Sequence, residues 1–214
     1  MIVVSGMIGL GKSTCAEILA DALNSRVLYE KVEGNRVLEK FYTETEENIL
    51  KHRYPFLLQL EFLSSRYQSI KDALDNDNNV LDRAIYEDIH FKNVNHALGR
   101  ISDLESAIYD DLFNNMMEEL NQLQYKKKPD LMVYLKGSFE TVLDRINKRG
   151  RGFEIDPSLK EYYYAIWKDY DKWVEDCYKE SPVVVIDMDK MDVTKEEDKI
   201  KFIQMVLKEL SKIR

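Results

Sequence analysis

One segment near the start of this 214-residue chain constrains its fold more than any other. Between an apolar β-branched run and an amphipathic stretch, two glycines enclose four residues and are followed at once by lysine and serine. The segment and the residue after it are Gly6, Met7, Ile8, Gly9, Leu10, Gly11, Lys12, Ser13 and Thr14. In a strand-to-helix loop, glycines let the backbone curl until several amide N–H groups and the helix N-terminus point at one anion. The sequence therefore predicts a phosphate-binding loop on an α/β fold.

The loop by itself leaves the reaction open. Lys12 would supply mobile positive charge to the phosphates, and the Ser13 hydroxyl would be a ligand for Mg²⁺. Kinases, GTPases and motor ATPases all use such a loop, so residues at the ends of the other strands must decide between these classes.

The rest of the chain alternates short β-branched runs with long amphipathic stretches, which is typical of a parallel sheet covered by helices. The predicted strands are Ile2–Val4, Val27–Tyr29, Val80–Leu81, Leu131–Leu135 and Val183–Ile186. The predicted helices are a first one with Cys15, Ile18, Leu19, Ala22 and Leu23 on one face, then 55–75, 104–125, 138–148, 158–178 and 195–212. Turn-forming breaks are predicted at 75–79, 126–129, 150–157 and 181–182. We expect a three-layer α/β sandwich with a five-stranded parallel sheet, forming a single domain over residues 1–214.

The composition excludes several classes of partner. A formal net charge of -8 argues against non-specific binding to nucleic acid or to an anionic membrane, since both surfaces are negative. No apolar run approaches the roughly 18 to 20 residues that a membrane span requires. The chain opens directly on a predicted buried strand and contains only 2 cysteines, so we expect a cytoplasmic protein. Its 3 histidines lack the spacing of a transition-metal site.

Charged residues follow two of the predicted strands. Glu30 comes directly after the second strand, and Asp82 and Arg83 come after the third. The carboxyl ends of parallel strands share one edge of a sheet, so these side chains should face the phosphate-binding loop. Glu30 can then be a general base, Asp82 can reach Mg²⁺ or its waters, and Arg83 can hold the reacting end of a substrate.

A basic cluster stands out against the acidic composition. Arg145, Lys148, Arg149 and Arg151 lie at a predicted helix end and in the loop behind it. Cations at a helix C-terminus also oppose the helix dipole, which is a purely structural explanation. The following glycine-containing loop favours a mobile lid over residues 145–157, because phosphoryl transfer requires positive charge over the donor phosphates.

In these motifs the chain resembles the deoxynucleoside kinase family, particularly its bacterial deoxyadenosine and deoxyguanosine kinases, over nearly its whole length. The matching pieces are Gly6 to Thr14, Tyr29 to Val32, Phe41-Tyr42, Phe56 to Gln59 with Arg66, Asp82 to Asp88, and Arg149 to Arg151 with Glu154. The resemblance implies a P-loop kinase fold with an Arg-rich lid. It also implies transfer of a phosphoryl group from ATP, with Mg²⁺, to the 5′-hydroxyl of a deoxynucleoside. Deoxyadenosine is the first expectation, followed by deoxyguanosine or deoxycytidine.

The same resemblance assigns roles to individual residues on the acceptor side. It makes Glu30 the base for the 5′-hydroxyl and places Arg83 beside that hydroxyl and the transferred group. It makes Gln59 the reader of the nucleobase edge, with Arg66 and Asp88 as a nearby charged pair. Finally, it implies a homodimer formed largely by the helices over 55–75 and 104–125.

On the lid side, the resemblance implies that Tyr42 and Glu154 hold the sugar 3′-hydroxyl and that three arginines embrace the donor. These are Arg145, Arg149 and Arg151, of which the first would also stack on adenine. Two features depart from the family pattern. Ala84 stands where the family commonly has serine, and the interval from Tyr42 to Gln59 is several residues longer.

Two other functions remain open at this point. A nucleoside monophosphate kinase of the thymidylate kinase type shares the loop and an Asp-Arg element, but Glu30 would repel its acceptor phosphate. A non-kinase P-loop nucleotide switch is the second, although the chain contains no Asn-Lys-x-Asp pattern for reading guanine. We assign the aromatic run Tyr162–Tyr164, with Trp167, Tyr170 and Trp173, to core packing.

Overall fold

The computed structural model describes residues 1–122 and 128–214. Its strands are β1 (Ile2–Gly6), β2 (Val27–Leu28), β3 (Val80–Asp82), β4 (Leu131–Lys136) and β5 (Val183–Asp187). They form one sheet in the order β2-β3-β1-β4-β5, and every neighbouring pair is parallel. Every residue of β1 and all but the last of β4 are buried, as expected where helices cover both faces of a sheet. The predicted five-stranded parallel α/β fold is confirmed.

The helices follow the expected alternation with the strands. They are α1 (Lys12–Ala22), α2 (Leu38–Thr43), α3 (Glu46–Lys51), α4 (Tyr54–Ala73), α5 (Glu87–Ala97), α6 (Asp103–Gln122), α7 (Phe139–Arg149), α8 (Lys160–Trp167), α9 (Tyr170–Asp176) and α10 (Glu196–Leu210). The predictions for α4, α7 and α10 are correct to within two residues at each end. For α6, the predicted residues 123–125 lie outside the described part, as do 126 and 127 of the predicted break. None of the described helices is long and apolar enough to cross a membrane.

The predicted helix over 158–178 is wrong as a single element. A 3₁₀ turn at Pro157–Leu159 precedes α8, and the helix is interrupted between α8 and α9. Two aromatic side chains, one before and one after this interruption, form hydrogen bonds to residues far away in the sequence. The Trp167 indole N–H donates to the carbonyl of Gly137 at 2.9 Å, whereas the Tyr170 hydroxyl donates to Glu87. Residues three apart share one face of an uninterrupted helix, whereas these two side chains bond to different elements.

The loop between β1 and α1 needs glycine for two distinct reasons. Gly9 and Gly11 both have a φ of 87°, in the left-handed region that side chains disfavour. A Cβ added to Gly9 would also lie 2.8 Å from Cγ1 of Ile146, and one on Gly6 would lie 2.6 Å from the carbonyl oxygen of Leu135. Close packing against α7 and β4 therefore fixes the loop, with the N-terminus of α1 directly behind it.

Candidate active site

Two adjoining cavities lie at the carboxyl ends of β1, β2 and β3. Eleven of the predicted site residues line the first, namely Ile8, Lys12, Glu30, Tyr42, Gln59, Arg66, Arg83, Asp88, Arg149, Arg151 and Glu154. The second is lined by Gly9, Gly11, Ser13, Thr14 and Asp82. Lys12, Glu30, Arg149 and Arg151 border both cavities. A group bound by the phosphate loop would therefore adjoin a molecule in the first cavity.

Glu30 is the carboxylate at the boundary between the cavities. Its Oε1 accepts from Nη1 of Arg66 at 2.8 Å and from Nε of Arg83 at 3.1 Å. Burial opposes ionisation, but the charges of Arg83, Arg66 and Lys12 outweigh burial and hold the pKa of Glu30 well below its ordinary value. The carboxylate is therefore ionised at neutral pH and able to accept a proton.

Arg66 and Asp88 form a buried ion pair that lines the first cavity and not the second. Nε of Arg66 lies 2.8 Å from Oδ1 and 2.7 Å from Oδ2 of Asp88. Burial raises the pKa of Asp88, and the guanidinium opposes that rise. Because Arg66 also binds Glu30, the pair links the end of β2 to α4 and α5.

Arg83 occupies a strained position in the turn between β3 and α5. Its φ is 86°, which for a residue other than glycine costs about 1–3 kcal/mol. Its amide donates to the carbonyl of Val4 at 2.9 Å, which ties the turn to β1. The guanidinium lies 4.9 Å above the Phe91 ring, and Nη1 donates to Glu87 at 2.8 Å. The turn thus directs a buried cation towards the end of the phosphate loop.

Lys12 lies at the start of α1 with its ammonium donating to the carbonyl of Met7 at 3.1 Å. Burial and the nearby charge of Arg83 lower the pKa of Lys12 to about 8, although Glu30, Asp82 and Glu87 favour the charged form. A bound triphosphate would add negative charge and raise this pKa again.

This shift gives a prediction for pH dependence. The free enzyme should lose the charge of Lys12 as pH rises through about 8. We expect kcat/KM for Mg-ATP to fall above that pH, because this parameter reports groups of the free enzyme. At saturating ATP, kcat/KM for the acceptor should keep its value to higher pH, which provides the internal control. Initial rates over pH 6 to 10 test this, and a flat profile for Mg-ATP would contradict it.

Asp82 and Ser13 could hold Mg²⁺ in the second cavity. Ser13 Oγ donates to Oδ2 of Asp82 at 2.6 Å. Oδ1 of Asp82 is buried and has no hydrogen-bond partner among the described residues. Burial raises the pKa of Asp82, and the charge of Lys12 lowers it. An uncompensated carboxylate oxygen next to a hydroxyl suits a hard cation that prefers oxygen ligands, so these residues fit Mg²⁺.

Three residues of the predicted lid line the first cavity, and two of them also line the second. Glu154 is buried and accepts from Arg149 and, at 3.4 Å, from Arg151. The hydroxyl of Tyr163 donates to the backbone carbonyl of Glu154 at 2.9 Å. These bonds hold the carboxylate over the first cavity while both arginines also border the second.

Two other predicted residues lie near the lid. The Tyr42 ring stacks on Phe153 of the lid, with ring centroids 5.7 Å apart. Arg145 borders neither cavity. Its guanidinium donates to the carbonyls of Leu10 at 3.0 Å and Met188 at 2.9 Å, so it lies against the backbone of the phosphate loop.

Several residues of the site were not among those predicted from the sequence. Phe62, Phe91 and Tyr162 line the first cavity. The two phenylalanines each lie three residues after a predicted site residue on the same helix, and that spacing was the available signal. Tyr162 is buried in the core, as predicted, and its ring also forms part of the cavity wall. Glu87, which follows the Asp-Arg element, was also missed and is fully buried beside Arg83.

A nucleotide switch has no need of a second cavity beside its phosphates, nor of an ionised carboxylate between the two. A kinase with a small-molecule acceptor needs both, so fold and site together place the chain in the class of P-loop kinases. A model of the deoxynucleoside kinase family matches residues 2–212, and the chain belongs to that family.

Known proteins agree with this assignment. A deoxyguanosine kinase of Lactobacillus johnsonii is 42% identical over 217 residues, covering 100% of this chain and 93% of the relative. A deoxyadenosine kinase of Lactobacillus acidophilus is 43% identical over 195 residues, covering 90% and 87%. The solved structure of a deoxyadenosine kinase from M. mycoides with bound dCTP gives a TM-score of 0.78 at 27% identity over 100% of both chains.

Proposed function

We propose that the protein transfers the γ-phosphoryl group of ATP to the 5′-hydroxyl of a deoxynucleoside, with deoxyadenosine first, then deoxyguanosine or deoxycytidine. The observation that carries the proposal is the position of Glu30, which is ionised and lies on the boundary of the two cavities. Relatives named for either purine are about equally similar to the chain, so overall identity does not select the base.

In the proposed reaction, Glu30 orients the acceptor hydroxyl and takes its proton. Lys12, Arg83 and the lid arginines Arg149 and Arg151 balance the charge of the transferred group. Ser13 and Asp82 would hold Mg²⁺, which when bound neutralises donor phosphate charge. The loop backbone fixes the donor, and the closed lid excludes water from the phosphoryl group.

Charge pairing favours a nucleoside acceptor over a nucleotide. Arg66 already pairs with Asp88 and Glu30, and Arg83 already pairs with Glu30 and Glu87. Both arginines at this end of the first cavity are therefore already paired with carboxylates. A second phosphate there would have to displace these pairs and would be repelled by the ionised Glu30, which disfavours the monophosphate kinase alternative.

Gln59 supports recognition of a base edge. The side chain is buried, and its Oε1 has no hydrogen-bond partner within the described ranges. A buried amide offers one acceptor and two donors, which suits the edge of adenine, guanine or cytosine. Phe62 and Phe91 line the same cavity and provide apolar faces for a base.

A panel of deoxynucleosides, ribonucleosides and monophosphates with Mg-ATP tests this function, scored by the product formed. We expect deoxyadenosine 5′-monophosphate to form fastest. Gln59→Leu should lower kcat/KM for deoxyadenosine about 10- to 100-fold through lost hydrogen bonds. Gln68→Leu, at an exposed position on the same helix, should change it little. Faster turnover of thymidine would refute the substrate order, and faster turnover of a monophosphate would refute the acceptor class.

We further propose a homodimer that works in the cytoplasm, where its ATP is available. Leu104, Ile108 and Leu112 recur every four residues on α6 and are 70%, 49% and 40% exposed. Leu57 on the neighbouring α4 is 41% exposed. An apolar stripe of this kind suits burial against a second copy. Ile108→Glu should therefore halve the mass measured by light scattering, whereas Ile200→Glu on α10 should leave it unchanged.

A further inference from the structure

The carboxylate of Glu87 is fully buried, although the sequence assigns it no role within the matching piece Asp82 to Asp88. A buried carboxylate is retained where several donors surround it. Oε1 accepts from the Ser5 hydroxyl and, at 2.9 Å, from the amide of Ala84. Oε2 accepts from Nη1 of Arg83 at 2.8 Å and from the Tyr170 hydroxyl. The donors come from β1, from the turn before α5, and from α9.

Local helix chemistry explains only one of these bonds. An acidic side chain in the first turn of a helix commonly accepts from an amide just before it, as Glu87 does from Ala84. Ser5 and Gly6 belong to another element and lead directly into the phosphate loop, and the Gly6 amide lies 3.5 Å from Oε2. Glu87 therefore joins the turn that carries Arg83 to the start of the loop that binds the donor.

The guanidinium of Arg83 forms hydrogen bonds to two carboxylates through two different nitrogens. Nε binds Glu30 at 3.1 Å and Nη1 binds Glu87 at 2.8 Å, which together fix the plane of the group. The remaining nitrogen, Nη2, makes no hydrogen bond to the residues that the structure describes and is available to a ligand. Without the charge of Glu87, Arg83 would have Glu30 as its principal partner and would move towards it.

We infer that Glu87 is a positioning residue for phosphoryl transfer, which fixes Arg83 relative to the phosphate loop, with Tyr170 as its supporting hydrogen-bond donor. This inference rests on the proposed role of Arg83 in the reaction. Tyr170 lies on the helix after the lid and α8, so the network also connects that region to the reacting centre.

Three conservative variants test the inference. Glu87→Gln keeps the shape and removes the charge, and Tyr170→Phe removes one donor and keeps the ring. Tyr134→Phe is the matched control. Its ring stacks on Tyr170 with centroids 5.8 Å apart, but its hydroxyl donates to Asp171 at 2.7 Å and not to Glu87. Both rings are buried, but Asp171 is 45% exposed and can be hydrated, so Tyr170→Phe should lose more thermal stability, and turnover is compared well below both melting temperatures.

We expect Glu87→Gln to lower kcat about 10- to 100-fold, with KM for the nucleoside within about threefold, because small displacements of a positioned group cost this much turnover. Tyr170→Phe should lower kcat about three- to tenfold, because it removes one of several donors to Glu87 and leaves the charge of the carboxylate in place. Tyr134→Phe should keep kcat within about twofold. If Glu87→Gln fails to fold, the two tyrosine variants decide the question.

Turnover of Glu87→Gln within twofold of the unmodified protein would overturn the inference. Equal loss of kcat in the two tyrosine variants would also overturn it, since the effect would then not depend on the bond to Glu87. Arg83→Lys in the same assay separates this failure from that of the proposed function. If Arg83→Lys retains full turnover, the role of Arg83 is wrong. If only Arg83→Lys loses turnover, Arg83 acts without Glu87.

Discussion

Replacing Glu30 by glutamine should lower kcat about 10²- to 10⁴-fold while leaving the affinity for Mg-ATP almost unchanged. Glutamine keeps the shape of the side chain, and its carbonyl can still accept from Arg66 and Arg83. It cannot accept the proton of an acceptor hydroxyl at neutral pH. The loss should therefore appear in the chemical step, which rapid-quench measurements of a single turnover isolate from product release.

A matched control for this variant is Glu61→Gln. Glu61 is also ion-paired to an arginine and similarly exposed, at 21% compared with 19% for Glu30, but it lies outside both cavities. The control should keep kcat within about twofold, as expected for a surface ion pair. A Glu30→Gln enzyme that kept its single-turnover rate would remove the general base from the mechanism.

The lowered pKa of Glu30 makes it a weak base, and the reaction tolerates that weakness. In a loose transition state the transferred group is largely free of both oxygens, so the acceptor proton need not leave early. Position then matters more than basicity. The two arginines that lower this pKa also fix the carboxylate at the boundary of the cavities. The same ion pairs thus lower the proton affinity of Glu30 and hold its carboxylate in position.

The periodicity of apolar residues predicted those strands and helices whose buried side chains are apolar. The runs in β1, β4 and β5 are apolar, and α10 carries a regular apolar face, so their positions could be read directly. The short helices α2 and α3 have 6 residues each, too few for a 3.6-residue period to emerge. They were missed for that reason.

Helix α5 was missed for a different reason, which concerns the site. Its buried residues include Glu87, Asp88, His90, Lys92 and Asn95. Pattern reading treats such a polar segment as exposed, whereas here each charged side chain is buried because it has an oppositely charged partner. Those partners lie on other elements, up to 83 residues away in the case of Tyr170 and Glu87. A one-dimensional pattern carries no record of such pairs.

Several of the predicted site residues lie at positions that the topology of the sheet brings together. Residues that follow parallel strands must share one edge of the sheet, so Glu30, Asp82 and Arg83 could be placed beside the loop from sequence alone. The bonds that orient each side chain could not. Arg83 depends on a left-handed backbone and on Glu87, and neither has a local sequence signal.

Arg83→Lys should lower kcat about 10²- to 10³-fold, comparable to the loss of one donor that stabilises transition-state charge. Lysine retains the positive charge but not the planar fork. Arg83 binds Glu30 and Glu87 through two nitrogens and leaves Nη2 uncommitted within the described structure. A single ammonium cannot hold both carboxylates in place and also contact the transferred phosphoryl group. KM for the nucleoside should change only a few-fold, because the missing contact belongs to the transition state.

Arg36→Lys is the control for this change. Arg36 also binds a carboxylate through two nitrogens, at 3.0 and 2.6 Å, but its partner is Glu61 and its side chain is 82% exposed. Losing this pair of hydrogen bonds should leave kcat unaltered. Steady-state and single-turnover rates of both variants should be compared below their melting temperatures. If Arg83→Lys kept its rate, positive charge alone would suffice at this position. The strained backbone and the two carboxylates that orient the guanidinium would then have no catalytic purpose.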